Sequence, residues 1–119
     1  MTRKFVANAL NTLGCKACDD MAPDGAIYND FKAASPHIVQ QGIKASIIVS
    51  SADALVKPEQ SIINEPGVRN IVIQDVCPSD KAGHAGLAYD RNVWQLVKNE
   101  LEEQYDRKVA CDYNLIIPV

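Results

Sequence analysis

Two short apolar runs constrain the fold of this sequence more than any other feature. Residues 44–50 contain an unbroken Ile-Ile-Val run, and residues 70–76 contain Ile-Val-Ile. Such runs are typical of strands that are covered on both faces, as in a parallel sheet. The sequence therefore predicts two buried parallel strands over these two segments.

Helical patterns alternate with the predicted strands. Asp90 is a suitable N-cap for the clearest helix, over residues 91–105, and Pro36 ends a second helix that is predicted over residues 24–34. In the predicted helix over 91–105, one face follows the helical period and consists of Val93, Leu96, Val97, Glu100 and Leu101, with the glutamate as its only polar member. Weaker signals predict a strand over 4–10, a helical turn over 58–63 and an extended segment over 113–117. The alternation predicts an α/β fold with a short parallel sheet and flanking helices. Because the chain has 119 residues, we expect one domain, 1–119.

Charge and hydropathy argue against two classes of protein. The formal net charge is −3 and no basic run occurs, which disfavours a nucleic-acid-binding surface. No stretch has the apolar length that a transmembrane segment needs. The first residues are basic, but Asn8 and Asn11 interrupt the apolar stretch after them, so a signal peptide is not predicted. We therefore expect either an intracellular protein or a true start upstream of Met1.

The cysteines leave several interpretations open. The set consists of Cys15, Cys18, Cys77 and Cys111. An even set permits two disulfides in three alternative pairings, or free thiols in a reducing compartment. The spacing of Cys15 and Cys18 also fits zinc ligands or a thiol–disulfide pair, and Cys77 with His84 could complete a Cys₃His site. The spacing between Cys77 and His84 is wider than in the usual zinc-binding motif. The acidic residues that follow Cys18 disfavour a thiolate in the Cys15–Cys18 pair. We expect no metal and no other cofactor.

An acid and an imidazole follow the two predicted strands. Asp53 closes a Ser-Ser-Ala-Asp segment after the first strand, and His84 lies between Gly83 and Gly86 after the second. The carboxyl ends of parallel strands meet at one edge of a sheet, where catalytic groups collect. A carboxylate that fixes the tautomer of a histidine is the acid–base half of a hydrolytic triad. In α/β-hydrolases the order along the chain is Ser, Asp, His, and Asp53 before His84 is consistent with its last two members.

Three stretches over residues 46–101 resemble the carboxyl-terminal part of small bacterial and fungal triacylglycerol lipases of the α/β-hydrolase fold. SIIVSSADALVKPEQS is similar to their acid-bearing strand and loop, and GVRNIVIQDVC to the strand that follows. GHAGLAYDRNVWQLVKNEL is similar to the segment of the catalytic histidine and the final helix. ACDDMAPDGAIYNDF resembles a cysteine-bearing segment that precedes the acid in some members.

The resemblance implies roles for particular residues. It makes Asp53 the triad acid and His84 the triad base, in a partial α/β-hydrolase fold that acts on lipids or other esters when complete. It also pairs Cys18 with Cys77, which leaves Cys15 and Cys111 to pair with each other. Disulfides imply an oxidising compartment, and hence an extracellular protein whose signal segment lies outside this chain.

The chain departs from the family in lacking a nucleophile. No Gly-x-Ser-x-Gly motif occurs in it, so the turn that exposes the serine and helps to build the oxyanion hole is missing. We predict that the chain alone does not hydrolyse esters, and that the serine is supplied by an amino-terminal half, as a covalent or a separate partner. This interpretation predicts an exposed apolar sheet edge. The alternative is a non-catalytic interaction domain of the same shape.

Overall fold

The computed structural model describes residues 26–34 and 37–119, together with Thr12, Gly14 and Ala17. The chain divides into two compact units, 1–38 and 39–119. In the first unit, helix α1 spans Ala26–Ala34, within the range predicted from the sequence. The predicted strand over 4–10 and the residues Cys15 and Cys18 lie outside the described residues.

A parallel pair of strands forms the centre of the second unit. Strand β1 spans Ala45–Val49 and strand β2 spans Val68–Val72. They pair in register from Ala45 opposite Val68 to Val49 opposite Val72. The prediction of two neighbouring parallel strands is confirmed, and the fold is α/β.

The second strand ends earlier than the sequence predicts. At Ile73 the chain turns into a short helix, α3, which spans Ile73–Val76 and is closed by the bond from the Cys77 N–H to the Ile73 carbonyl. The prediction of a strand as far as Val76 was therefore wrong. Ile73 is fully buried, and a short apolar run does not distinguish a buried strand from a buried helical turn.

Two further helices flank the strands. Helix α2 spans Pro58–Ser61, and helix α4 spans Arg91–Leu101. The Asp90 side chain accepts from the N–H groups of Asn92 and Val93, so the predicted N-cap is confirmed. Helix α4 ends four residues before the predicted end, and Glu103 adopts a left-handed conformation with φ 55°. No glycine marks that position, and glycine is the usual sequence signal for such an end.

The core is small. Among the described residues, one cluster of buried side chains consists of Ile73, Val93 and Leu96, with Ile48, Ile71, Leu87 and Val109 packed against it. The predicted face of α4 is only partly correct, because Val97 and Leu101 are exposed. Glu100 is its polar member and accepts from both Arg69 and Ser46, which joins α4 to the start of both strands.

The sequence predicts an exposed sheet edge, and it contains no stretch of transmembrane length. Among the residues that the structure describes, β1 and β2 are the only strands, so each has an edge without a strand partner. Residues 113–117 form no strand. No helix in the described ranges is long and apolar enough to cross a bilayer.

Candidate active site

The acid lies in a turn directly after β1. The Asp53 N–H donates to the Ser50 carbonyl at 3.2 Å and closes this turn. The carboxylate is buried, and its Oδ1 atom accepts from the backbone N–H groups of Leu55 at 2.8 Å and Val56 at 2.9 Å. One carboxylate oxygen is thus held by the backbone, which leaves Oδ2 to bond elsewhere.

The second carboxylate oxygen bonds the histidine of the neighbouring loop. His84 Nδ1 lies 2.8 Å from Asp53 Oδ2. The structure therefore brings together the acid and imidazole that the sequence predicts at this edge. The His84 side chain is 48% exposed, whereas that of Asp53 is 4% exposed. Within the described part of the chain, His84 Nε2 has no hydrogen-bond partner.

The pKa of Asp53 is lowered by its hydrogen bonds. Burial raises the pKa of this carboxyl, but the N–H of Val56, the ring of His84 and the N–H of Leu55 together lower it below its usual range. An ionised carboxylate only accepts hydrogen bonds. His84 Nδ1 must therefore carry a proton and donate it to Asp53 Oδ2, which leaves Nε2 as the ring nitrogen that can accept a proton from another group.

The two glycines beside the histidine allow the carboxyl-terminal segment to lie against this loop. The Gly83 N–H donates to the Ile117 carbonyl and the Gly86 N–H donates to the Val119 carbonyl, both at 2.9 Å. A Cβ atom on Gly83 would lie 2.5 Å from the Pro118 carbonyl oxygen, and one on Gly86 would lie 1.9 Å from that of Ile117. Close backbone approach therefore requires these glycines.

A disulfide fixes the segment that contacts the histidine loop. Cys77 and Cys111 are bonded, with their Cα atoms 5.7 Å apart and 34 positions apart in the sequence. The pairing of Cys18 with Cys77, and with it that of Cys15 with Cys111, was therefore wrong. Cys77 directly follows α3, and residues 109–111 return beside this helix, so that Cys111 Sγ lies 3.5 Å from the Val76 carbonyl oxygen. Sequence spacing contains no information about this return.

The disulfide also bears on the metal-binding interpretation. A cysteine ligates a metal as a thiolate, and Cys77 is not available in that form because it is bonded to Cys111. Across the described residues, no group of three or more His, Cys, Asp and Glu residues is arranged to hold a metal ion.

A partly buried polar network connects the two loops that carry Asp53 and His84, and the sequence did not predict it. Its best-connected members are Ser50 and Gln74, which bond each other and the backbone of both loops. Asp80 and Asn92 continue it towards α4, with Asn92 Nδ2 2.8 Å from Asp80 Oδ2. A polar Gln74 within an apolar run is the one sequence signal that could have indicated it.

Cavities lie at both ends of the parallel strands. One of about 230 Å³ is lined by Asp53 and His84 together with Val56, Ser61 and Leu87. Another cavity, of about 600 Å³, lies at the opposite ends of the strands and is lined by paired charges such as Arg69 and Glu100. The smaller cavity is the one in which the acid and the imidazole meet.

The comparisons with known proteins leave the family open. No family model matches the chain, and no curated protein matches it.

Proposed function

We propose that this chain is the carboxyl-terminal part of a lipase-like carboxylic ester hydrolase of the α/β-hydrolase fold, and that it supplies the acid and the base of a Ser-Asp-His triad. The observation that carries the proposal is the 2.8 Å contact between Asp53 Oδ2 and His84 Nδ1, at the carboxyl ends of adjacent parallel strands. An ionised carboxylate that fixes a half-exposed imidazole is the arrangement that general-base catalysis requires.

The proposed chemistry assigns one role to each residue. His84 Nε2 removes the proton of a serine hydroxyl as that oxygen attacks the ester carbonyl, and then donates it to the leaving alcohol. Asp53 remains ionised and stabilises the imidazolium that forms between these steps. Its hydrogen bonds from Leu55 and Val56 keep it in that state.

The nucleophile comes from outside residues 1–119 in this proposal. No Gly-x-Ser-x-Gly motif is present. Ser50, which lines the cavity at the dyad, is fully buried and donates its hydroxyl to the Ala82 carbonyl. The edge of β1 that has no strand partner among the described residues is the place where further strands, and with them the serine, would join the sheet.

Apolar surface near the histidine supports an ester with an apolar acyl chain. A cavity of about 480 Å³ is lined by Leu87, Val93, Trp94, Val97 and Leu101 among others. Leu87 also lines the cavity at the dyad. The chemical class of substrate is therefore a carboxylic ester with an apolar acyl group, such as an acylglycerol.

Ester hydrolysis by the product of the complete reading frame tests the proposal. We expect this product to cleave para-nitrophenyl butyrate, and the 119-residue chain alone to leave it intact. Asp53→Asn is expected to lower kcat by about 10⁴-fold, because the amide no longer fixes the Nδ1–H tautomer. His84→Ala is expected to abolish measurable turnover.

Two matched variants serve as controls. Asp75→Asn neutralises an exposed acid in α3, and His37→Ala removes the second histidine; both are expected to leave kcat within about twofold of the wild-type value. Full activity in Asp53→Asn or His84→Ala would refute the assigned roles. A stable product without any esterase activity would favour a non-catalytic interaction domain.

A further inference from the structure

One glutamine connects the two loops that hold the dyad. Gln74 lies in the first turn of α3, directly after β2. Its Nε2 atom donates to Ser50 Oγ at 2.9 Å and to the Asp80 carbonyl at 3.1 Å, and its Oε1 atom accepts from the Ser51 N–H at 2.9 Å. The side chain thus bonds the acid loop on one side and the start of the histidine loop on the other.

Ser50 completes the connection. Its buried hydroxyl donates to the Ala82 carbonyl at 2.7 Å and accepts from the Ala52 N–H at 3.1 Å as well as from Gln74. Ala82 lies two positions before His84, and Ala52 directly precedes Asp53. Each end of the network is therefore within two residues of a member of the dyad.

The network is fully satisfied, which limits the side chains that can form it. Both amide protons of Gln74 are used, and the hydroxyl of Ser50 gives one hydrogen bond and accepts two. A glutamate at position 74 would lack both donors, and an aliphatic residue would lack the acceptor too. Ser50 is fully buried and Gln74 is half-buried, and a network at such a position is rigid when every member is paired.

We infer that Gln74 is a positioning residue that acts through Ser50 to hold the carboxylate of Asp53 and the ring of His84 in hydrogen-bonding register. The inference rests on the proposed function, because it assigns the network to the same site. The physical reason is the steep dependence of proton transfer on geometry: a misplacement of about 1 Å costs on the order of 100-fold in rate.

The test is the state of the His84 ring in the 119-residue chain. The sequence has two histidines, so selective ¹⁵N-histidine labelling gives two ring systems, and His37→Ala assigns them. In the wild type we expect a proton on His84 Nδ1 that exchanges slowly with water. Gln74→Leu and, separately, Ser50→Ala are expected to accelerate this exchange by about tenfold, because leaving a buried hydrogen-bonding group without its partner shifts an equilibrium by about that factor.

A matched control separates positioning from general loss of stability. Asn70 lies on β2 and, like Gln74, donates and accepts through a side-chain amide: its amide bonds the carbonyl and the N–H of Ile63 at 2.9 and 3.1 Å. Asn70→Leu removes that bridge away from the dyad. Because Asn70 is more exposed than Gln74, we expect this variant to lower the unfolding midpoint by less and to leave the Nδ1 proton unchanged.

Each outcome decides the inference. Exchange within about twofold of wild type in both Gln74→Leu and Ser50→Ala would overturn it, as would an equal acceleration in Asn70→Leu. If Gln74→Leu does not fold, the comparison uses Ser50→Ala, and if Ser50→Ala does not fold, it uses Gln74→Leu. Absence of the Nδ1 proton from the wild type would refute the dyad itself, and therefore the proposed function together with the positioning role. In the complete enzyme, Gln74→Leu is expected to lower kcat by about 10- to 100-fold with KM nearly unchanged, whereas a merely structural role would lower the folded fraction and leave kcat per folded molecule unchanged.

Discussion

The disulfide between Cys77 and Cys111 closes a loop whose ends are 34 positions apart. For a loop of that length, the chain-entropy model gives a stabilisation of roughly 4 kcal/mol at room temperature. Small domains commonly have about 5–15 kcal/mol of unfolding free energy. Replacing both cysteines by alanine is therefore expected to remove a large share of the stability of residues 39–119.

Denaturant unfolding followed by far-ultraviolet circular dichroism measures this loss. We expect Cys77→Ala/Cys111→Ala to lower the free energy of unfolding by about 4 kcal/mol. The wild type in the presence of a reductant is expected to lose a similar amount. The double variant with and without reductant serves as the control, because any difference between those two conditions belongs to Cys15 and Cys18.

Hydrogen exchange shows whether the loss reaches the site. The N–H groups of Gly83 and Gly86 bond the carbonyls of Ile117 and Val119, and Cys111 anchors the segment that supplies these carbonyls. We expect both amides to exchange faster in the double variant. A stability change under about 1 kcal/mol, or unchanged exchange at these amides, would refute the view that the disulfide stabilises the histidine loop through this segment.

Two further predictions concern packing and charge. Gly86→Ala is expected to lower the free energy of unfolding by about 1–3 kcal/mol, because its Cβ would lie 1.9 Å from the Ile117 carbonyl oxygen; denaturant unfolding without any loss would contradict the close approach. Glu100→Gln is expected to cost about 1–3 kcal/mol at neutral pH, because Glu100 accepts from Arg69 and Ser46. Burial raises the pKa of Glu100, but these bonds lower it more, so the contribution is present above the ordinary glutamate pKa and is lost as pH falls through the lowered one. A pH-independent difference between Glu100→Gln and wild type would contradict that assignment.

The parts of the fold that depend on local pattern could be predicted from the sequence. The apolar runs indicated β1 and β2, Asp90 indicated the start of α4, and strand ends on one sheet edge indicated that Asp53 and His84 would meet. Each of these inferences uses either residues close together in the chain or a general rule for parallel sheets. The role of the dyad in catalysis stays a prediction.

The parts that depend on long-range contacts could not be predicted in the same way. The partner of Cys77 is set by the path of residues 102–111. This path starts at the end of α4, where no glycine in the sequence indicates the left-handed conformation of Glu103. The two glycines beside His84 suggested a tight loop, whereas the structure shows that they make room for the Ile117 and Pro118 backbone. Periodicity and spacing do not describe such contacts, because they join segments far apart in the sequence.

The most direct measurement of the central claim is covalent labelling of the protein from the complete reading frame with a fluorophosphonate, followed by mass spectrometry of its peptides. A reactive serine needs a general base within hydrogen-bonding reach. We predict that one serine outside residues 1–119 is labelled, and that His84→Ala abolishes this labelling while His37→Ala does not. Labelling that persists at the same rate in His84→Ala, or that falls on a serine within residues 1–119, would contradict the assignment of His84 as the base for a nucleophile supplied from elsewhere.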